Sequence, residues 1–555
     1  MKTMKLITLL LIFLFFLGNC QEKKDDTMDK LLQLILLNQI VNAPSCKTGI
    51  SVSGGSDPFY SDQWHLNNTG TTSNSVSGED AKVQSPWSSG NYGQGVTVAV
   101  VDDGIETLHE DLCGNVSGTI SGYNYRSSSN DPNHYYSSSG HGTSVSGVIA
   151  ALDSNNLGLR GAAPRAGLVG YNLLETNTIP STNIADAMTR NKASIFISNN
   201  SWGATDNTGK YSDSFASSLW KTAIEDGYTN GRNSKGIVYL WAAGNGANPY
   251  YFRNSSLKYD NSNLDGQANF HGVLSICGIG NDGKKAFYSE EGANLWVCGH
   301  TQGNTTSAMT TAISTTDPSG DRGSNTSSSS SSNYTNRNYR NDFNGTSSAT
   351  PLVAGVVALI MKAYPDFTWR DVREVLAKGA RKNDSTDSDW TTNTAGYNIN
   401  HKYGFGAASA EGALSSAASH TQISSPYTSC ETASSGDVTI NNNATTSTGN
   451  LSGSSCSGMV GKIEFVEISF TTNSSNMGKT KVVLKRNGGT QSVLNENHNC
   501  ENSCDNYSSS STTLRYGSAR HLGEDPNTNW TVEVTNTTGT AFTISTKLKF
   551  YGRAN

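Results

Sequence analysis

The stretch DFNGTSSATPLVAGVVALIMKAYP, Asp342 to Pro365, joins a Gly-Thr-Ser turn directly to a run of small and apolar residues. The run predicts a buried helix that starts beside Ser347. A hydroxyl at such a junction either caps the helix or is held out for chemistry. Upstream lie three continuous apolar runs: VTVAVV (Val96 to Val101), SIFIS (Ser194 to Ser198) and GIVYLWAA (Gly236 to Ala243). Helix-like segments alternate with them, including FASSLWKTAIEDG and TWRDVREVLAKGA. Unbroken apolar strands separated by helices predict an α/β fold, a parallel sheet sandwiched by helices. Each run ends in a polar turn: Asp102-Asp103-Gly104, Asn199 through Ser201-Trp202-Gly203, and Gly244-Asn245-Gly246. Sites in such sheets form at the carboxyl ends of strands, so these turns should share one crevice.

The segment GHGTSVSGVIAAL places His141 before a small-residue helix. Alone, that histidine reads as a cap or a core residue. Together the motifs run Asp102, His141, Asn245, Ser347. A serine nucleophile needs a base, the base needs a carboxylate, and the acyl oxyanion needs a donor.

The 555-residue length predicts two or three domains, and 15% charged residues with a net charge of −6 give no basic surface for nucleic acid. The start, MKTMKLITLLLIFLFFLGNC, has an apolar run too short for a comfortable membrane span, which reads as a signal peptide over residues 1–20. Leu17-Gly18-Asn19-Cys20 resembles a bacterial lipobox, with Asn19 departing from the usual small residue. Cys20 is therefore expected to be lipidated and to anchor an exported protein at the membrane, with secretion as the alternative. Residues 21–56 read as a tether and linker, in which Leu31 to Val41 suggests a short amphipathic helix. Eight of the nine cysteines remain after Cys20, so disulfides are expected, their pairing open. Residues 57–415 read as the α/β domain. Within it, the serine-rich tract 301–341 reads as an exposed insertion with nothing to pack against. Over 416–555 the helix signals stop, and alternating strands such as KIEFVEISF and NWTVEVTN predict an all-β, jelly-roll-like sandwich.

The four motifs in this order resemble the subtilases, and within them the kexin/furin proprotein convertases. The resemblance implies that Asp102 orients, His141 is the general base, Ser347 the nucleophile and Asn245 the oxyanion donor. It places Ser201, Trp202 and Gly203 along the substrate, and Asp206 and Asp265 in an acidic primary pocket. Asp103 and Asp213 fall at further basic-residue subsites. Asp206, Asp260 and Glu290 match ligands of a Ca2+ beneath that pocket. A second Ca2+ is implied at Asp57, Asp111 and Asn155, with the carbonyls of Leu152, Leu157 and Leu159. Ser518 to Gly552 resembles the end of the convertase P domain. Ser138, Ser144, Val145 and Thr189 depart from the family pattern, so a distal basic requirement is not implied. About 36 residues separate Cys20 from Asp57, too few for a folded prodomain, so a separate folding helper is a candidate partner. The expected function is a calcium-dependent serine endopeptidase that forms an acyl-enzyme. It would cut polypeptides after exposed Arg or Lys and favour dibasic sites. The competing readings are a broad-specificity subtilase and a surface adhesin with a vestigial protease domain.

Overall fold

The structure is a computed structural model that describes residues 55–176, 178–247, 260–303, 311–330, 332–456, 458–474, 476–500, 504 and 511–554. The signal segment, Cys20 and the Leu31 to Val41 stretch lie outside the described residues.

Seven strands build the central sheet: β1 (Thr97–Asp102), β2 (Tyr123–Asn124), β3 (Gly167–Asn172), β4 (Ile197–Asn200), β5 (Val238–Ala242), β6 (Val273–Ile279) and β7 (Leu295–His300). Their order is β2-β3-β1-β4-β5-β6-β7, and every pairing is parallel. Nearly every residue of β1, β4 and β5 is buried, which is why β1 and β5 read as apolar runs rather than alternating, while β4 buries Ser198, Asn199 and Asn200 at its carboxyl end. From β1 the chain first builds outward to β3 and β2. It then returns to add β4 through β7 on the other side. The switch falls between β1 and β4, where α/β sheets open a crevice.

Among the described residues, the helices of nine or more residues are α1 (His141–Ala150), α2 (Ser181–Thr189), α3 (Ser218–Ser234), α4 (Thr346–Ala363), α5 (Trp369–Gly379) and α6 (Ala410–Ala418). Helix α4 is long and apolar enough to cross a membrane, but 83% of it is buried inside the protein, so it is a core helix. Its small side chains allow close approach: a methyl group on Gly355 would lie 2.6 Å from the Ala162 side chain.

The serine-rich tract differs from the expectation of an unpacked insertion. Strands β8 (Ile313–Thr316) and β9 (Tyr339–Phe343) form an antiparallel hairpin. Thr315 and Thr316 are fully buried. Their hydroxyls donate to the carbonyls of Ser144 (2.6 Å) and Thr143 (2.7 Å) in α1. Their polarity therefore serves hydrogen bonds to the helix, and it reads as solvation only in the absence of that partner. Between the strands, Asp317 accepts the amides of Ser324 and Asn325, so much of the tract is a folded loop.

The C-terminal region forms two antiparallel sheets. One contains Thr428–Glu431, Val438–Ile440, Lys462–Thr472, Thr512–Ser518 and Phe542–Arg553. The other contains Thr445–Ser447, Leu451–Ser452, Thr480–Arg486, Gln491–Asn495 and Asn529–Asn536. Strand Asn529–Asn536 alternates buried and half-buried residues, as a sandwich strand must. Ile468, Phe470, Tyr516, Trp530 and Phe550 fill the interior. Cys430 is bonded to Cys456 and Cys500 to Cys504, while Cys277 and Cys298 join β6 to β7.

The two domains meet through buried polar contacts. Arg370 of α5 donates from Nε to Glu464 Oε2 at 2.9 Å, and Arg553 Nη1 reaches Glu464 Oε1 at 2.9 Å. Arg553 also pairs with Glu374 of α5 at 2.9 Å. The His271 ring stacks on Tyr551 with centroids 3.7 Å apart. Removing Glu464 would leave Arg370 buried without its counter-charge. Glu464→Ala is predicted to lower stability by about 3 kcal/mol, measured by urea unfolding. A loss below about 1 kcal/mol would show that the seam does not depend on this pair.

Candidate active site

Asp102 ends β1, and its carboxylate is fully buried. Both of its oxygens face His141 Nδ1, at 2.9 and 3.0 Å. Burial pushes the Asp102 pKa up against the attraction of His141. The His141 pKa is also raised: burial alone would lower it, but the charge and hydrogen bond of Asp102 outweigh that. The Phe343 ring meets the imidazole edge-on, with centroids 5.4 Å apart.

Asp103, expected at a subsite, also holds the start of α1. Its Oδ2 accepts the amides of Gly140 (3.0 Å) and His141 (3.1 Å), and its Oδ1 accepts Gly142 at 2.8 Å. A carboxylate at a helix N-terminus satisfies amides that have no partner in the helix and favours the macrodipole. Asp103 thus fixes the start of α1, and with it His141.

Ser347 lies in the first turn of α4, after Gly345 at φ 79°. Pro351 stands four residues on and has no amide to give the Ser347 carbonyl. That carbonyl accepts the Ser201 hydroxyl at 3.1 Å instead. In return, Ser347 Oγ donates to the Ser201 carbonyl at 3.1 Å, so the hydroxyl rests against Ser201 rather than against His141. Asn199 Nδ2 holds the Ser201 hydroxyl at 3.0 Å. Trp202 is anchored by Nε1 to the Val101 carbonyl at 2.9 Å.

Asn245 Oδ1 accepts the amide (2.8 Å) and hydroxyl (3.0 Å) of Thr346. That fixes the flip of the side chain and leaves the NH2 group as the donor. The flanking glycines are required by neighbouring acids. A methyl group on Gly244, at φ 111°, would sit 2.2 Å from Glu290 Oε1, and one on Gly246 would sit 1.9 Å from Asp260 Oδ2.

These groups border a cavity of about 460 Å³ lined by Ser201, Trp202, Gly203, Asp206, Asn245, Asp260, Asp265, Glu290 and Ser347, with Lys210 also on its wall. Asp265 is held by the amides of Ala204 (2.8 Å), Gln267 (2.6 Å) and Ala268 (3.0 Å). Gly203 lies against it, since a methyl group there would be 2.7 Å from Asp265 Oδ2. Asp206 Oδ1 accepts the Asn245 amide at 2.8 Å. Asp260 accepts the amides of Asn207, Thr208 and Gly209, and Glu290 accepts Gly246 at 3.0 Å. Burial drives all four pKa values up, that of Asp260 to about 7. Repulsion from Asp260 and Asp206 adds to the rise at Glu290. Such a set calls for a cation, and three carboxylates suit a hard oxygen-binding ion such as Ca2+.

Asp213 is not on this wall. It faces Arg515 of the C-terminal domain at 3.5 Å and Lys221 at 3.7 Å. Thr189 ends α2 and bonds the Ala185 carbonyl. Asp57, Asp111 and Asn155 gather in one cluster. Arg160 Nε donates to Asp57 Oδ2 at 2.6 Å, placing the chain's own cation there. Asp111 is filled by Asn155 Nδ2 (2.7 Å) and the Leu159 amide (3.1 Å), while Asn155 Oδ1 accepts the Leu157 amide at 2.9 Å. Leu152 donates its amide to the Asp111 carbonyl at 2.9 Å. The residues gather as expected, and burial still raises the pKa of both Asp57 and Asp111, so their negative charge is only partly offset by these partners.

Residues 93–406 match the subtilase family model, just over half of the chain. The chain belongs to the subtilase family. Residues 463–547 match the proprotein convertase P-domain. The subtilase is similar to neuroendocrine convertase 2 of Rattus norvegicus, 33% identical over 357 residues, covering 63% of this chain and 51% of that protein. It is also similar to the Aeromonas extracellular serine protease of Aeromonas sobria, 32% identical over 418 residues, 66% of this chain and 65% of that one. The chain thus spans about half the length of the convertase. A crystal structure of the Aeromonas sobria serine protease with its chaperone superposes with a TM-score of 0.78 at 26% identity, covering 93% of this chain and 98% of that one.

Thr346 and Phe343 were not singled out from the sequence, although both flank Ser347 in the opening stretch. Thr346 had a signal: a residue beside the nucleophile that can both donate an amide and a hydroxyl suits orientation of an amide side chain. Phe343 carried none. Asp103→Ala is predicted to cost about 1–2 kcal/mol through loss of the α1 cap, read by urea unfolding. Asp103→Asn should recover most of it. Equal stability of wild type and Asp103→Ala would refute the capping role.

Proposed function

We propose that this subtilase is a serine endopeptidase that cleaves polypeptides after Arg or Lys. The observation that carries the reading is the Asp102–His141 pair and Ser347 at the rim of a cavity walled by Asp206 and Asp265. Asp102 holds Nδ1–H of His141, leaving Nε2 as the base. Rotation of Ser347 about its Cα–Cβ bond frees the hydroxyl from Ser201 and turns it to Nε2. Oγ then attacks the scissile carbonyl carbon as His141 takes its proton. The oxyanion receives hydrogen bonds from Asn245 Nδ2 and from amides at the start of α4. His141 next protonates the leaving amine, and water hydrolyses the acyl-enzyme by the same path in reverse.

The substrate strand lies along Ser201-Trp202-Gly203. A guanidinium or ammonium entering the cavity meets Asp206 and Asp265, relieving buried negative charge that nothing apolar would relieve. Asp206, Asp260 and Glu290 would hold Ca2+ at the base of the cavity, where it supplies fixed positive charge and rigidity. A favoured dibasic site would rest on Asp103, whose carboxylate stands beside His141 while holding the start of α1. The chain is an exported protein anchored through lipidated Cys20. A folding helper fits the reading, since the similar Aeromonas protease was crystallised with a chaperone.

Profiling of peptide libraries is the decisive test. Cleavage after Arg or Lys should exceed cleavage after Leu by at least about a hundredfold, and Asp206→Asn with Asp265→Asn should abolish that margin. Comparable cleavage after Leu would leave a subtilase of broad specificity. Ser347→Ala should lower kcat by about 10⁶ and Asn245→Ala by about 10²–10³. The base must be neutral to accept a proton, and the His141 pKa is raised. Activity should therefore fall as pH drops through a midpoint above the ordinary histidine value of about 6.5, as measured in kcat/KM. A midpoint below it would contradict the Asp102 pairing.

A further inference from the structure

Away from the acid-lined cavity, three metal-ligating side chains converge on the seam between the two domains. Glu291 follows Glu290, His401 lies just after the short strand Asn398–Ile399, and Glu496 lies just past the sandwich strand Gln491–Asn495. A carboxylate oxygen of each glutamate and a ring nitrogen of His401 all lie within 4.8 Å of one another. The His401 side chain is only 9% exposed, and neither ring nitrogen has a hydrogen-bond partner. Its Nε2 faces Glu496 Oε1 at 3.5 Å, longer than an N–H···O bond. A buried imidazole without a partner is costly, and such groups call for an explanation.

The backbone presents the ring deliberately. The His401 amide donates to Asp389 Oδ2 at 2.5 Å, and its carbonyl accepts the Gly292 amide at 3.0 Å. His401 is thereby tied to the residue following Glu291. Lys285 Nζ stands 3.8 Å from Glu291 Oε1, so it offsets part of the charge of that glutamate.

We propose that Glu291, His401 and Glu496 bind a divalent transition-metal ion, Zn2+ by the chemistry of the donors, which staples the C-terminal sandwich to the α/β domain. One imidazole and two carboxylates form a donor set that zinc favours, whereas calcium takes oxygen alone. Zinc bonds of about 2.0–2.2 Å require the three donor atoms to draw closer. Small rotations of the two glutamate side chains provide that, with water in the fourth position. The site is separate from the acid cluster of the cavity but shares its backbone. An ion on Glu291 holds the segment that carries Glu290, so the sandwich and the cavity floor become mechanically linked.

The test uses the full chain, stripped with chelator, returned to excess Ca2+ and titrated with Zn2+ against a chromophoric chelator. Wild type should take up one Zn2+ per chain under these conditions. His401→Ala and the isosteric, partly exposed Glu496→Gln should bind at least about tenfold more weakly, with circular dichroism confirming that each is folded. Co2+ should give visible absorption bands in wild type that both variants lose. No zinc uptake by wild type would overturn the proposal in favour of a seam neutralised by Lys285. Unchanged uptake in both variants would overturn it by placing the ion elsewhere. Neither result bears on the serine chemistry, which does not involve these residues.

Discussion

Buried carboxylates crowding one turn set the terms for the rest of this molecule. Glu290 and Asp260 press so closely on Gly244 and Gly246 that neither position has room for a side chain. Asn245 between them is held on the other side by Thr346. The turn at the end of β5 is therefore immobilised from two directions. One result is a positioned amide donor, and the other is a cavity floor with far more negative charge than the interior stabilises unaided. That imbalance is the ground for the proposed cation binding, by an ion below and a substrate side chain above.

The apparatus around Ser347 is mounted on the sheet by the same logic. The switch in strand order between β1 and β4 opens the crevice. The end of β1 and the turns just after β4 and β5 deliver Asp102, Ser201 and Asn245 to it. Helices α1 and α4 bring in His141 and Ser347 at their N-termini, where backbone amides point outward. The hairpin of β8 and β9 ties down α1 from outside through Thr315 and Thr316. A region that looks like surplus polar sequence thus buttresses the histidine helix.

The sheet was legible because strands buried on both faces leave unbroken apolar runs, and because each run ends abruptly in polar residues. The sandwich was legible from alternation, as in Asn529–Asn536. The direction in which a side chain points was much harder to read. Asp103 and Asp213 are acids where acids were expected, yet one turns to the amides of α1 and the other to Arg515. Short-range sequence does not encode which of several nearby positive groups a carboxylate will choose. Arg160 pairing with Asp57 is the same kind of choice. Thr315 and Thr316 were misread because burial of a hydroxyl depends on a carbonyl contributed by a distant helix.

The reciprocal pair between Ser201 and Ser347 has a consequence for chemistry at rest. Because Pro351 withholds an amide, the nucleophile's own carbonyl recruits the Ser201 hydroxyl, and the Ser347 hydroxyl returns the favour. The free protein is therefore parked with its reactive oxygen unpolarised by imidazole. On the proposed mechanism, the Ser347 hydroxyl exchanges the Ser201 carbonyl for the imidazole as its acceptor, and a substrate strand lying along Ser201 would compete for that same carbonyl.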